Sequence, residues 1–214
     1  MKWIYNLSKT NINYYIYKLN INDEILYNNN EARYLYILKG TIAMFKCFNN
    51  NKTFFSTLLN NNQIICLNMT TSIYSSDEYY YKFIAFSTTY LISFPYKIYS
   101  NLLFIHNLNP YIIRSQNLII KRYEITNYIF QQKYMKNRII SIILFLVIEF
   151  GIFYNKYICI PFKLGQNKLA LLTGINKTTV NKIIRQLYKK KVIYYKNKSI
   201  CLNNISNLSS IYFY

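Results

Sequence analysis

Acidic side chains are scarce in this chain and then run out: only seven of 214 residues are Asp or Glu, and the last is Glu149. Histidine occurs once, as His106. A single histidine excludes the metal-binding β-barrel enzymes of cupin type, whose ion needs a histidine cluster. His106 has no catalytic partner in the sequence and reads as a polar residue near a helix start. Cys47, Cys66, Cys159 and Cys201 stand far apart, with no C-x-x-C and no Cys/His spacing. That argues against a zinc or iron–sulfur site and against a disulfide framework, and makes free thiols the expectation. No constellation of nucleophile, base and acid is present, so neither an enzyme nor a bound cofactor or metal is expected. Long apolar runs are lacking too. The most hydrophobic stretch, Ile139–Ile148, is far short of the ~20 residues that cross a bilayer, and it reads as a buried helix. Met1–Asn20 is polar and interrupted, unlike a secretory signal.

Basic residues are abundant by contrast: 26 Lys and Arg give a net charge of +19. Such a balance suits a polyanionic partner, nucleic acid or an anionic membrane. Asn, Ile, Lys, Tyr and Phe are enriched everywhere, as an extremely AT-rich coding sequence would make them, so the total is weak evidence. The distribution is stronger. Codon bias does not explain why acids vanish from one end only, and this points to a nucleic-acid face on the C-terminal part.

The most informative stretch there runs from Gln166 to Leu187. Leu169, Ala170 and Leu172 give a first short helix its apolar face. Gly174 permits a turn with positive φ, and Asn176 stands where an N-cap is wanted. Val180, Ile183, Ile184 and Leu187 then recur at helical spacing, with Ile175 plugging the corner. This is a helix-turn-helix pattern, whose second helix enters the DNA major groove. Its outward face carries Lys177, Thr178, Asn181, Lys182 and Arg185, all hydrogen-bond donors and none acidic. The same pattern also fits two ordinary core helices with a solvated basic face. Beyond it, Val192–Tyr195, Lys196-Asn197-Lys198 and Ser199–Asn203 read as strand, turn and strand: a basic hairpin, or wing, whose Lys196 and Lys198 reach phosphates.

Upstream, Tyr17 to Pro95 shows short apolar runs divided by polar turns, three of them asparagine triplets at 28–30, 49–51 and 60–62. Strands are predicted at Tyr34–Leu38, Thr41–Phe48, Thr53–Leu59, Ile64–Leu67, Tyr79–Phe86 and Tyr90–Phe94, which argues for an antiparallel sandwich or barrel. A short helix follows Pro95. A long one is predicted from Pro110, as a first-turn residue, to about Lys133. Ile112, Gln116, Ile119, Tyr123, Thr126 and Phe130 on it form either a coiled-coil seam or a face packed on its own β-domain. Met135–Phe150 is helical again, with Gly151 as a C-cap.

This order resembles the cyclic-AMP receptor protein superfamily of bacterial transcription regulators, from about Tyr17 to Asn203. Tyr36–Ala43 is similar to its strand–glycine–strand signature and Gly174–Ile184 to its recognition segment. Ala85–Pro95 and Ile139–Gly151 look closest to the branch of the cyanobacterial global nitrogen regulator, a copy of which red-algal plastid genomes carry. The resemblance implies an α+β chain: an arm (1–16), a β jelly-roll of cyclic-nucleotide-binding type (17–108), a dimerisation helix (109–134) and a winged helix-turn-helix (135–214).

By position, base reading falls on Lys177, Thr178 and Lys182, with Asn181 beside them on the exposed face. Phosphate contact falls on Asn176 and Thr179, joined by Arg185, Lys196 and Lys198. Lys177 stands where the family has arginine, and lysine lacks the planar two-pronged contact with guanine. Gly165 replaces the usual hydroxyl-bearing cap of the first helix. In the effector pocket, Cys66-Leu67-Asn68 and Tyr79-Tyr80 replace the residues that hold a cyclic phosphate, which argues against cyclic AMP. For 2-oxoglutarate, the effector of the nitrogen regulators, the two family arginines become Tyr79 and Ile119. Glu124 keeps its place, and Lys121 or Arg122 are the candidate substitutes. The expected function is a homodimeric activator of transcription in the chloroplast stroma. It would bind double-stranded DNA and a bacterial-type RNA polymerase, not a membrane. The alternative is a basic membrane-surface or interaction protein that keeps the fold without reading sequence.

Overall fold

The computed structural model describes residues 4–5, 7, 12–27, 33–50, 52–67, 79–95 and 102–202, which form two compact units, 1–123 and 124–214. In the first unit lie β1 (Tyr15–Leu19), β2 (Glu24–Tyr27), β3 (Arg33–Lys39), β4 (Ile42–Phe48), β5 (Thr53–Leu59), β6 (Ile64–Leu67), β7 (Tyr79–Ala85) and β8 (Thr89–Pro95). They pair antiparallel into two four-stranded sheets, β1-β8-β3-β6 and β2-β7-β4-β5. Alternation along the strands explains the layering. Leu35 and Ile37 join Leu19, Ile65 and Leu91 of their own sheet and Ile42, Leu59, Phe83 and Ala85 of the other in one cluster between the sheets. The intervening Tyr34, Tyr36 and Leu38 lie on the opposite face of β3, in a second cluster with Ile64, Ile92 and Phe94. Gly40 lies between β3 and β4 at φ +111°, and a Cβ there would meet Thr89 Oγ1 at 2.3 Å. The strand–glycine–strand signature is therefore a steric requirement.

Helix α1 (Leu102–Phe130) begins eight residues before Pro110, which lies inside it, so the proline does not open the helix as its sequence position suggests. Leu108 and Ile112 pack on the outer cluster of the first sheet, and this burial holds the turn through the missing N–H. Residues 96–101, where the preceding short helix is expected, lie outside those described, as does the His106 side chain. Ile119 packs against the inner cluster, so the sequence seam is divided: Ile112 and Ile119 lie on their own β-domain, while Tyr123 is exposed.

The second unit contains α2 (Met135–Phe150), β9 (Ile152–Tyr154), β10 (Tyr157–Cys159), α3 (Gln166–Thr173), α4 (Lys177–Lys189), β11 (Tyr194–Lys196) and β12 (Ser199–Leu202). The four strands make a sheet in the order β11-β12-β10-β9. Ile139, Ile140, Ile142, Ile143, Phe145, Leu146 and Val147 of α2 are all buried, so the most apolar run of the chain is core. No helix among the described residues is long and apolar enough to cross a membrane. Gly151 is the C-cap of α2, its N–H donating to Val147 O at 2.9 Å, and it caps from an extended rather than a left-handed backbone. Its φ is −60°, and a Cβ would meet Val147 O at 2.3 Å and Ile158 Cγ2 at 2.7 Å, so close packing is what requires a glycine.

A second correction concerns the cysteines. Cys159 and Cys201 are joined in a disulfide, while Cys47 and Cys66 are free. The antiparallel pairing of β10 with β12 sets Cys159 opposite Cys201 across a sequence separation of 42, which no spacing rule anticipates.

Candidate nucleic-acid interface

The turn between α3 and α4 follows from local chemistry. Gly174 takes φ +65°, a conformation only glycine adopts without cost. Two residues later, Asn176 Oδ1 accepts the backbone N–H of Thr179 at 2.8 Å and the Thr178 hydroxyl at 2.9 Å. The first satisfies an orphan donor of the new helix, a contact whose loss typically costs about 1 kcal/mol. Val180, Ile183, Ile184 and Leu187 are buried, which fixes the rotation of α4. Its outward face is then set: Asn176, Lys177, Thr178, Lys182 and Arg185 are exposed, with Thr179 and Asn181 partly so.

Within that face the side chains differ in freedom. Asn181 Oδ1 accepts a hydrogen bond from Gln166 Nε2 at 2.9 Å, which ties α4 to the start of α3. Thr178 is turned onto its own cap. Lys177 and Lys182 project from exposed positions on this face.

The β11–β12 hairpin, where the sequence predicts a wing, stands against the start of α3. Asn197 and Lys198, both with positive φ (52° and 64°), make the tight turn between β11 and β12. Leu164 N–H donates to Lys198 O at 2.6 Å, Ile160 N–H to Ile200 O at 3.0 Å, and the Tyr195 hydroxyl to Leu164 O at 3.4 Å. The Lys198 stem passes the N-cap Gly165, where a Cβ would lie 3.4 Å from Lys198 Cδ. Lys196 ends β11 by its backbone, and its side chain lies outside those described.

Sequence reasoning missed Lys168. Burial, and secondarily the charge of Lys198, push its amine below the ordinary lysine range. Two ammonium groups that repel one another in this way favour an anion beside them. A phosphate of a bound duplex there would restore the Lys168 proton, raising its pKa in the complex above that of the free chain. The affinity this adds would be full below the depressed pKa and decline as pH rises from it toward the higher pKa of the complex. We expect Lys168→Met to flatten this alkaline fall and Lys198→Met to move it to higher pH, read by anisotropy titration of duplex DNA at fixed salt. Identical pH profiles in all three proteins would remove Lys168 from the interface.

Arg138 was also invisible in sequence. Its guanidinium donates to Phe130 O at 3.0 Å, Gln132 O at 3.3 Å and Thr173 O at 3.4 Å. It thereby neutralises the carbonyl ends of α1 and α3 and seats the helix pair on α2. Of the residues that the sequence offers as effector candidates, Lys121 and Glu124 are exposed on α1 while Arg122 is buried. Arg122 Nη1 donates to Leu58 O at 3.0 Å, Gln63 Oε1 at 3.2 Å and Asn60 Oδ1 at 3.3 Å.

No protein-family model matches the chain. It is 25% identical over 210 residues to the curated protein named "Putative HTH-type transcriptional regulator ycf28" from Porphyra purpurea, covering 94% of this chain and 84% of that one. Among solved structures it is similar to CooA of Carboxydothermus hydrogenoformans (TM-score 0.70, 14% identity, 93% of this chain and 88% of that one). It is similar also to the c-di-GMP responsive global regulator CLP of Xanthomonas campestris (TM-score 0.71, 11% identity, 95% and 99%). A third is a CRP/FNR family transcriptional regulator of Thermus thermophilus (TM-score 0.66, 15% identity, 94% and 99%). The chain has the fold of these regulators, as its resemblance to the cyclic-AMP receptor protein superfamily implies.

Proposed function

From the fold shared with the CRP/FNR regulators, we propose that this chain is a homodimeric DNA-binding transcription regulator. The observation that carries it is the outward face of α4: amide, hydroxyl, amine and guanidinium groups with no acid, beside a hairpin that sets Lys198 against the start of α3. Such a face reads base edges with its first turns and phosphates at its margins. Activation, nitrogen control, action on plastid promoters with a bacterial-type RNA polymerase, and residence in the chloroplast stroma rest on the likeness to the nitrogen-regulator branch. The 25%-identical ycf28 protein supports the coarser reading. Seven residues of Ile139–Ile148, the segment a membrane-surface role would use, are buried in α2 and Ile148 is exposed, which supports DNA binding over that role.

Two copies would meet along α1. Pro110, Ile113, Arg114, Asn117, Leu118 and Lys121 line a shallow groove on the helix, repeating at steps of three and four. Ile113 is 61% exposed, large for a branched aliphatic side chain. Ile113→Glu is expected to shift the chain from dimer to monomer in light scattering and to reduce DNA affinity by about a hundredfold, through loss of the linked half-site. Its melting should be unchanged at equal monomer fraction. A dimer that survives the substitution would move the interface elsewhere.

The function itself is tested by selecting bound sites from random duplex DNA, with and without 2-oxoglutarate as the candidate effector. A two-fold-symmetric site with half-sites about one helical turn apart supports the reading. Binding that depends on salt but not on sequence, together with sedimentation on anionic liposomes, would favour the membrane-surface alternative. Indifference to the acid would leave DNA reading intact and remove the sensor role.

A further inference from the structure

We infer that Cys159 and Cys201 are a reversible thiol–disulfide modification site that sets how firmly the wing is held to the helix pair. Ile160 N–H donates to Ile200 O one step along the ladder, so the cysteine pair occupies the neighbouring position between ladder bonds. There antiparallel side chains approach most closely, and the Cα atoms stand 4.0 Å apart. Both cysteines are partly exposed, and small thiol reagents can reach them, whereas Cys47 is buried.

What the bond encloses gives it consequence. The segment between the two cysteines contains α3, α4 and the wing turn, and with them Lys168, Lys177, Lys182, Arg185 and Lys198. The strands it joins are only 3 and 4 residues long. With the bond open, β11 and β12 still pair through Tyr194↔Cys201, Tyr195↔Ile200 and Lys196↔Ser199. The hairpin then keeps its shape but loses its covalent tie to β10, and Lys198 loses part of its fixed placement beside Lys168.

The chemistry balances without a metal. In closing, the two thiols give up two protons and two electrons to an external disulfide, which becomes two thiols. In opening, one thiolate of an external dithiol attacks a sulfur of the pair and forms a mixed disulfide. Its second thiolate resolves that bond, leaving the reagent as a cyclic disulfide and the two cysteines as thiols.

The effect on DNA rests on the regulator reading, but the site does not, and the experiment separates them. The full-length chain is treated with oxidised or reduced dithiothreitol, freed of reagent and unfolded in denaturant so that buried Cys47 also reacts, and alkylated thiols are counted by mass. The expected counts are two and four. Reduction should lower the melting of the second unit by on the order of 10 °C, since a loop of this length is released. It should also weaken duplex DNA binding by on the order of tenfold through lost preorganisation. Cys159→Ser and Cys201→Ser proteins, expected to sit near the reduced values, should show neither response, while Cys47→Ser should respond as the parent does. Four alkylated thiols after oxidation, or equal responses in parent and serine variants, would overturn the inference. A chain that changes thiol count and melting but binds DNA in neither state would keep the modification site and remove the DNA reading.

Discussion

Replacing Lys177 and Lys182 together by alanine is expected to abolish recognition of the preferred site while leaving the fold untouched. Both side chains are exposed on a helix whose rotation is fixed by Val180, Ile183, Ile184 and Leu187, so stability should move by less than about 0.5 kcal/mol. Each direct base contact contributes roughly 1–3 kcal/mol of discrimination, and losing two should lower affinity for the selected site by about a hundredfold or more. The comparison that gives this meaning is Lys189→Ala. Lys189 lies in the last turn of the same helix, so its loss should weaken all duplexes alike and reduce the salt slope by about one. Titrations on selected and scrambled duplexes at one salt concentration separate the two behaviours. If the double variant kept the parent's ranking of sites, base reading would have to be assigned to another element.

The choice of lysine at 177 bears on what is read. A lysine is a point donor and an arginine a planar fork, so the chain should tolerate more than one base where an arginine-bearing relative demands guanine. Asn181 is held by Gln166, and that restraint makes it a reader only if the Gln166 bond yields. Lys177 and Lys182 therefore carry more of the expected discrimination than the even spread of donors in the sequence implies.

The parts of this molecule legible in sequence are those set by short-range rules. The helix-turn-helix is encoded within 22 residues by a 3.6-residue apolar period, a glycine at a positive φ and a side-chain cap, each visible in the letters. The strands between Arg33 and Pro95 are legible because alternation and asparagine turns punctuate them; Asn62, for example, takes φ 67°. What stayed hidden depends on distant partners. β9 and β10 are three residues each and mostly exposed, so no alternation announces them. The Cys159–Cys201 pair requires the register of β10 on β12 across two intervening helices. Pro110 carries the signal of a helix start, and α1 extends through it where Leu108 and Ile112 pack on the outer cluster of the first sheet. Arg122, a candidate effector residue in sequence, and Arg138 gain their carbonyl partners only through tertiary packing.

Arg122 yields the second large effect. Substitution by methionine preserves much of the apolar stem and removes the guanidinium that binds the β5–β6 connection through Leu58 O, Asn60 Oδ1 and Gln63 Oε1. Leu58 is 0% and Gln63 3% exposed, so water does not readily replace the lost donor. Charge-assisted hydrogen bonds contribute about 1.5–3 kcal/mol, and buried acceptors left behind add their own penalty. The expected destabilisation of the first unit is therefore about 3 kcal/mol. Ser115 remains as the nearby link, its hydroxyl accepting from Ile64 N–H at 2.7 Å and donating to Ile64 O at 2.9 Å, so local opening at residues 58–63 should precede global unfolding. Hydrogen exchange resolved by peptide checks this, with faster exchange at 58–63 and unchanged protection in α4. An effector-binding role makes the opposite forecast, in which Arg122→Met keeps full stability and loses only the response to an added dicarboxylate. Lys121→Met serves as the neighbouring control, since Lys121 is exposed on the same turn and its loss should leave exchange at 58–63 as it was.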